Sequence, residues 1–192
     1  MPGSVWSAKK KKRRPKLAIE NRKRYFFLLP FLLVIVFADQ ISKIWVLNNI
    51  APGDKIRILG DFFRLSLTYN TGGAMGTSLG GNSFYLITSL FVLGIIFYLV
   101  IRSIKRTWPA AALMAIAGGA IGNIIDRVHM GRVIDFLDFD IPNVNILGLK
   151  LERWWTFNIA DSAITLGVIA LLMYIIFYQE KAEDKAPSPQ NQ

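Results

Sequence analysis

Two aspartates, Asp135 and Asp161, are the residues of this chain best placed to do chemistry. Asp135 stands in Val-Ile-Asp-Phe at Val133 to Phe136, and Asp161 closes Phe-Asn-Ile-Ala-Asp at Phe157 to Asp161. Both fall at the edges of apolar segments long enough to cross a bilayer. An ionisable group at the centre of a membrane helix costs ~2.5–3.5 kcal/mol, so such groups persist where they face a bundle interior, and they are functional candidates by default. Two carboxylates brought together and sharing one proton titrate in two steps, which leaves one ionised while the other keeps its proton. The ionised member takes a proton from water, and the protonated one polarises an amide carbonyl. This is the logic of an aspartic peptidase, which requires neither metal nor cofactor. Carboxylates in small helical bundles also serve proton relays and ion pathways, so a proton-coupled transporter is the rival reading. A lipid-binding protein without catalysis is the third.

Other polar residues are spaced to support such a pair. Asn158 lies three residues before Asp161, on one helix face, and Asn123 and Arg127 share a face at i,i+4. Asp39 and Lys43 have the same spacing, which suits either an ion pair within one helix or a place for Asp39 in the site. Asn70-Thr71-Gly72-Gly73-Ala74 is ordinary turn chemistry taken alone. Gly118, Gly119 and Gly122 are small residues at spacings that let helices approach closely. Asp138 and Asp140 read as solvated loop charges, with modulation of Asp135 as the alternative, and His129 reads as an interfacial residue.

The elements that must position these residues follow from composition. Of 192 residues, 53% are hydrophobic, and the mean hydropathy is +0.37, too apolar for an ordinary soluble domain. The absence of cysteine excludes disulfides and thiol nucleophiles, and a single histidine, His129, argues against a histidine-ligated zinc. The net charge of +10 does not indicate nucleic acid, because ten of the 23 Lys and Arg residues crowd into residues 9–24, directly before an apolar run. That is the mark of a cytoplasmic membrane flank. Apolar runs predict four spans at about 25–47, 83–101, 108–125 and 157–178. Residues 1–24 are expected to be a loose basic tail, 179–192 a loose polar one, and 48–82 and 126–156 the outward segments. In the first of these, Lys55 to Leu59 and Phe63 to Tyr69 alternate around Gly60-Asp61, which predicts a β-hairpin. In the second, the alternation from Leu147 to Glu152 predicts a strand or an amphipathic flap, and Trp154 and Trp155 begin an interfacial aromatic belt. Fifteen Lys and Arg lie in the N-terminal segment, the 102–107 loop and the tail, against seven in the outward segments. Both termini are therefore expected in the cytoplasm. The predicted fold class is an all-α integral membrane four-helix bundle with a small extracytoplasmic β-hairpin or cradle.

Taken in order, five motifs resemble the lipoprotein signal peptidases, or signal peptidase II, of bacterial membranes. They are Asp39-Gln40 with Lys43, Asn70-Thr71-Gly72-Gly73-Ala74, Gly118-Gly119-Ala120-Ile121-Gly122-Asn123 with Asp126-Arg127, Val133-Ile134-Asp135-Phe136, and Phe157-Asn158-Ile159-Ala160-Asp161-Ser162-Ala163-Ile164. The resemblance covers about residues 39–164. It implies an aspartic endopeptidase that cuts the signal peptide of a prolipoprotein immediately before a cysteine carrying a diacylglyceryl group, without metal or cofactor. It implies a catalytic pair at Asp135 and Asp161 and supporting or substrate-binding roles for Asp39, Asn70, Asn123, Arg127 and Asn158. Lys43, Gly122 and Asp126 match positions of structural character. Further implications are a site facing the periplasm from the inner membrane, contact with membrane lipids, a mobile flap over the cleft and inhibition by globomycin-type cyclic peptides. The stretch from Phe136 to Trp155 and the basic N-terminal extension are longer than is usual in that family, and Met75 stands where Phe is common.

Overall fold

Inside a bilayer no water satisfies backbone N–H and C=O groups, so an uncharged apolar run of this length must close its hydrogen bonds within a helix. The computed structural model describes residues 14–73, 80–103, 107–140, 144–146, 149–151 and 155–183. It contains α1 (Arg14–Asn49), α2 (Gly81–Ser103), α3 (Thr107–Met130) and α4 (Ile159–Glu183). Each holds a stretch long and apolar enough to cross a membrane. α1 begins at Arg14, so residues 14–24, expected to be loose, are helical. The basic run at 9–13, Ala74, Met75, the 104–106 loop, Leu147, Gly148, Glu152, Trp154 and the tail from 184 lie outside the described residues.

α3 is the central helix and packs against α1, α2 and α4. Half of its apolar window is buried, against 22% or less in the other three helices. The outer helices keep large side chains such as Phe91, Ile87, Leu166 and Ile176 on the surface, as helices facing lipid would. Small residues make the central packing possible. A Cβ on Gly119 would collide with the Ala160 carbonyl of α4, and one on Gly122 would collide with the Asp39 carboxylate of α1. The apolar core below combines Leu28 and Leu32 of α1, Ile96 and Val100 of α2, and Leu113, Met114 and Ala117 of α3.

At one end of the bundle sits a three-stranded antiparallel sheet in the order β1 (Lys55–Leu59), β2 (Phe63–Asn70), β3 (Val133–Phe139). The first two strands and the Gly60-Asp61 turn are the expected hairpin. Gly60 has φ +56, in the left-handed region a tight turn favours. The third strand was not anticipated. β3 pairs Val133 with Asn70, Ile134 with Tyr69 and Asp135 with Thr68, and Val133, Ile134, Asp135 and Phe136 are all buried. A strand covered on both faces shows no alternation, so its sequence gave no period to read.

Asp138 corrects the expectation of a solvated loop charge. It lies on β3 opposite Arg64, is buried, and accepts hydrogen bonds from Arg64 Nε at 3.2 Å and Nη2 at 3.0 Å. A short hairpin, β4 (Val144–Ile146) with β5 (Leu149–Leu151), follows. Phe157 then bridges to Leu137 as a one-residue extension of the sheet. Its ring stacks on Phe139, which stacks on Phe63. This bridge delivers the chain to Asn158 and the start of α4.

The α3–α4 contact yields a prediction. Gly119→Ala should lower the thermal midpoint of the detergent-solubilised protein, at a cost of about 1–3 kcal/mol for overpacking. Gly94→Ala, whose Cβ meets open space, should leave the midpoint unchanged or slightly raised.

Candidate active site

The two aspartates arrive on different kinds of element. Asp135 is the third residue of β3, and Asp161 lies in the first turn of α4. Asn158 is therefore not part of the helix face but its N-cap. The Asp161 N–H donates to Asn158 Oδ1 at 2.8 Å, and the Asn158 N–H donates to Asp161 Oδ2 at 3.3 Å. This reciprocal pair is a capping box, with aspartate in the place usually held by glutamate. The Asn158 side-chain amide completes the connection. Its Nδ2 donates to Asp135 Oδ1 at 2.7 Å, with Asn123 Oδ1 at 3.1 Å and the Ile134 carbonyl at 3.2 Å also within reach. One fully buried asparagine thus touches both carboxylates.

Asn123 supports the other side. Its Nδ2 donates to Asp161 Oδ1 at 2.8 Å, and its Oδ1 accepts from Lys43 Nζ at 3.0 Å. The Lys43 ammonium, almost without solvent contact, also lies 2.8 Å from Asp39 Oδ2 and 2.7 Å from Asp126 Oδ2. The two readings left open for Asp39 and Lys43 therefore meet in one arrangement, an ion pair built into the site's floor. Asp39 Oδ1 accepts from the Ala160 N–H at 2.9 Å, and Asp126 Oδ2 accepts from the Ile134 N–H at 3.1 Å. Each of these carboxylates fixes the backbone of the residue immediately before a candidate catalytic aspartate. Gln40 ties the pair together, donating to Asp39 Oδ2, Asp126 Oδ1 and the Gly122 carbonyl. Gly122 leaves room for the Asp39 carboxylate.

Asn70 closes the third side. Its Nδ2 donates to Asp135 Oδ2 at 3.0 Å, and its Oδ1 accepts from the Gly72 N–H at 2.9 Å, which is an Asx turn. Asp126 and Arg127, expected beyond the end of the third span, lie within α3, which continues to Met130. Their charges are tolerated there because both are partnered: Arg127 Nη2 donates to the Gly72 carbonyl and Nη1 to Asn82 Oδ1. His129 is exposed, with Nδ1 2.9 Å from the Ile125 carbonyl.

Burial pushes the Asp135 carboxyl up to about 7, and the nearby Asp161 charge pushes in the same direction. The Asn70 and Asn158 hydrogen bonds and the Lys43 charge oppose the shift without cancelling it. A carboxyl that keeps its proton near neutrality can donate a hydrogen bond that an ionised one cannot.

Comparison with known proteins bears on this geometry. A family model described as Peptidase_A8, Signal peptidase (SPase) II, matches residues 31–177. The chain belongs to the signal peptidase II family. The lipoprotein signal peptidase of Chlorobium phaeobacteroides is 36% identical over 152 residues, covering 78% of this chain and 94% of the relative. That of Lactobacillus johnsonii is 37% identical over 164 residues, covering 85% and 99%. A bacterial membrane enzyme solved by the in meso method at 2.3 Å superposes with a TM-score of 0.70 at 28% identity, covering 85% of this chain and 94% of that one. As a signal peptidase II, the chain is an aspartic-type membrane protease that processes lipoproteins.

Sequence reasoning singled out every residue of this cluster except Asn82 and the Ala160 and Ile134 backbone amides. Gln40 stood in a quoted motif without a role. Nothing in a lone Asn after two glycines, as at Gly80-Gly81-Asn82, separates a site residue from a helix start.

The Lys43 arrangement predicts a large effect from a small change. Lys43→Met leaves Asp39 and Asp126 buried without their shared cation, and it should destabilise the enzyme by about 3–5 kcal/mol. Urea unfolding in detergent, followed by tryptophan fluorescence, checks this.

Proposed function

We propose that Asp135 and Asp161 are the catalytic dyad, and that cleavage falls immediately before the diacylglyceryl-modified cysteine of a prolipoprotein. The observation that carries this reading is Asn158, whose side-chain amide holds Asp135 while its main chain holds Asp161. An asparagine bonded to both carboxylates fixes their relative orientation, and fixed orientation is what two-group acid–base catalysis requires.

In the first step Asp161, as the carboxylate, takes a proton from a water, and the hydroxide oxygen bonds to the scissile carbonyl carbon. Asp135, holding its proton, donates a hydrogen bond to the carbonyl oxygen as negative charge develops there. In the second step the proton held by Asp161 passes to the cysteine nitrogen, the oxyanion re-forms the carbonyl as the C–N bond breaks, and the signal peptide leaves with a new carboxylic acid that gives its proton to solvent. The proton count returns to its start. Asn70, Asn123, Asn158 and Arg127 orient the pair and the substrate chain. Lys43, Asp39, Asp126 and Gly122 hold the elements in place. Three side-chain amides converging on two carboxylates serve fixed polar geometry better than a water-filled ion pathway does.

In the cell, the positive-inside distribution supports a protein of the inner membrane with both termini cytoplasmic and the dyad facing the periplasm. Residues 1–24 and 179–192 then form the cytoplasmic ends around a membrane unit at 25–178. Membrane lipids surround the helices, and a globomycin-type cyclic peptide is expected to occupy the cleft in place of substrate.

Three outcomes follow from this reading. Purified enzyme in detergent should cleave a diacylglyceryl-modified prolipoprotein equally well with and without chelator. Asp135→Asn and Asp161→Asn should each reduce kcat by at least about a thousandfold, the scale of loss when a member of a catalytic unit is removed, while lipopeptide binding persists. Near-normal rates in both variants would sink the dyad.

The pH profile carries a sign. As pH rises through about 7 the Asp135 carboxyl loses its proton, both carboxylates become ionised and the acid is gone. We expect kcat/KM to fall by about tenfold per pH unit above that point. A flat profile to pH 9 would contradict the assignment of the proton to Asp135.

Because the native chain has no cysteine, single replacements report topology cleanly. Asp54→Cys should react with an impermeant maleimide added outside spheroplasts, and Gln192→Cys should react only after lysis.

A further inference from the structure

Outside the five motifs, one feature of the described residues reaches the dyad through a chain of contacts. The first turn of α2 presents Asn82 and Tyr85 at i,i+3, on the same helix face, and both meet Arg127. Asn82 holds that arginine at two points. Its Nδ2 donates to the Arg127 carbonyl at 3.2 Å, and its Oδ1 accepts from Arg127 Nη1 at 3.4 Å. The Tyr85 ring lies beneath the guanidinium, 5.1 Å from Cζ to the ring centroid. The other guanidinium nitrogen, Nη2, donates to the Gly72 carbonyl. Gly72 in turn donates its N–H to Asn70 Oδ1, and Asn70 Nδ2 donates to Asp135 Oδ2.

We infer that Asn82 is a positioning residue for catalysis: by clamping Arg127 at its carbonyl and its guanidinium, it holds the Asn70–Gly73 turn so that the Asn70 amide bonds Asp135. Physical reasons favour this over a merely structural role. An arginine side chain has several rotatable bonds and loses rotamer entropy when its end is fixed, so that end does not stay on one carbonyl without further restraint. The restraint comes from α2, while the carbonyl belongs to a turn followed directly by the segment that leads to α2. Asn82 is half-buried near the Gly131 turn at the end of α3, at the end of the bundle that carries the sheet. It lies outside the apolar core that holds α2 against α3 through Ile96 and Val100. Losing it should therefore leave the bundle assembled and loosen only the turn.

The inference rests on the dyad assignment and extends it to a residue remote from both aspartates. Its test compares wild type, Asn82→Ala and Asn82→Asp as full-length enzymes in detergent, on the diacylglyceryl-modified prolipoprotein substrate. Asn82→Ala should reduce kcat by about tenfold, the scale of one lost hydrogen bond to a charged group, with the thermal midpoint and KM close to wild type. Asn82→Asp keeps the oxygen that accepts from the guanidinium but loses the Nδ2 donor to the Arg127 carbonyl, and should recover part of the loss.

A second readout separates positioning from general damage. The charged groups facing Asp135 are Asp161 of α4, Lys43 of α1 and Arg127 of α3. The Asn70 hydrogen bond lowers the Asp135 pKa, so weakening it should displace the alkaline limb of the Asn82→Ala profile to higher pH. Asn70→Ala should produce the same displacement, and the double variant should add nothing further. The proposal is overturned if Asn82→Ala keeps the wild-type rate. It is also overturned if the rate falls only in step with the thermal midpoint, or if the limb stays where it is in wild type. An inactive wild type would instead count against the dyad assignment itself, and the Asn82 clamp would fall with it.

Discussion

The buried ammonium of Lys43 is the interaction on which the rest of this site depends. It lies between Asp39 of its own helix and Asp126 of α3, within 2.8 Å of both. Neither carboxylate would be tolerable at this depth alone, because an unpaired buried charge costs several kcal/mol. Partnered, each also accepts from a backbone N–H: Asp39 through the oxygen that Lys43 does not use, and Asp126 through the same Oδ2 that meets Lys43, while its Oδ1 takes Gln40. Asp39 takes the Ala160 N–H in the first turn of α4, one of the orphan donors every helix start presents. Asp126 takes the Ile134 N–H on β3. Ala160 precedes Asp161 and Ile134 precedes Asp135. One cation thereby helps to set the positions of β3 and the start of α4, segments well separated in the sequence.

The same economy recurs at the proposed catalytic pair. Asp161 serves as the third residue of a capping box and so contributes to starting α4, while it also faces Asp135 across Asn158. Helix N-termini suit carboxylates, since the first-turn amides and the dipole favour negative charge there. Asp135 lacks such help. It sits on a strand buried on both faces, accepts hydrogen bonds from two neutral amides, those of Asn70 and Asn158, and keeps its proton to about 7. The two aspartates thus sit on different kinds of element, a helix start for one and a buried strand for the other. On the proposed assignment, such a contrast of surroundings is a route to an acid and a base from identical side chains.

Much of this was legible in the residues, and what was not has identifiable reasons. The spans were readable because uncharged runs near bilayer length have few other fates, and the hairpin because Gly60-Asp61 separates two alternating strands. β3 was not, since Val133 to Phe139 is covered on both faces and pairs with a strand more than sixty residues earlier. No local period marks such a strand. For the same reason Asp138 looked like a loop charge: its partner, Arg64, becomes its neighbour only through the sheet register. Asp126 and Arg127 looked like the end of a helix because charge usually marks the membrane boundary. Here the helix runs on past them, with their charges absorbed by Lys43 and Gln40 on one side and by Gly72 and Asn82 on the other. Asn158 was read as sharing a helix face with Asp161, whereas the same three-residue spacing is that of a cap and its third helical residue. Spacing gave the contact correctly and its geometry incorrectly.

A bundle in lipid has no hydrophobic force pulling its helices together, because lipid tails are as apolar as leucine. Most of the apolar surface of α1, α2 and α4 stays outside the protein. What selects one arrangement is then close contact at small residues, as where Gly119 meets Ala160, together with polar groups that find partners in one register and not in others. In this chain the second set is the site itself. Lys43 with Asp126, Asn123 with Asp161, Asn158 with Asp135 and Asp39 with Ala160 each join different elements, and each would be left unsatisfied by sliding one helix a turn along its neighbour. Specification of the fold and assembly of the chemistry are therefore not separable tasks here. It follows that loss of activity on replacing a supporting residue is weak evidence of a catalytic role unless folding is measured beside it. The informative positions are those like Asn82, at the margin of the network, where a contact can be removed while the register of the helices stays fixed.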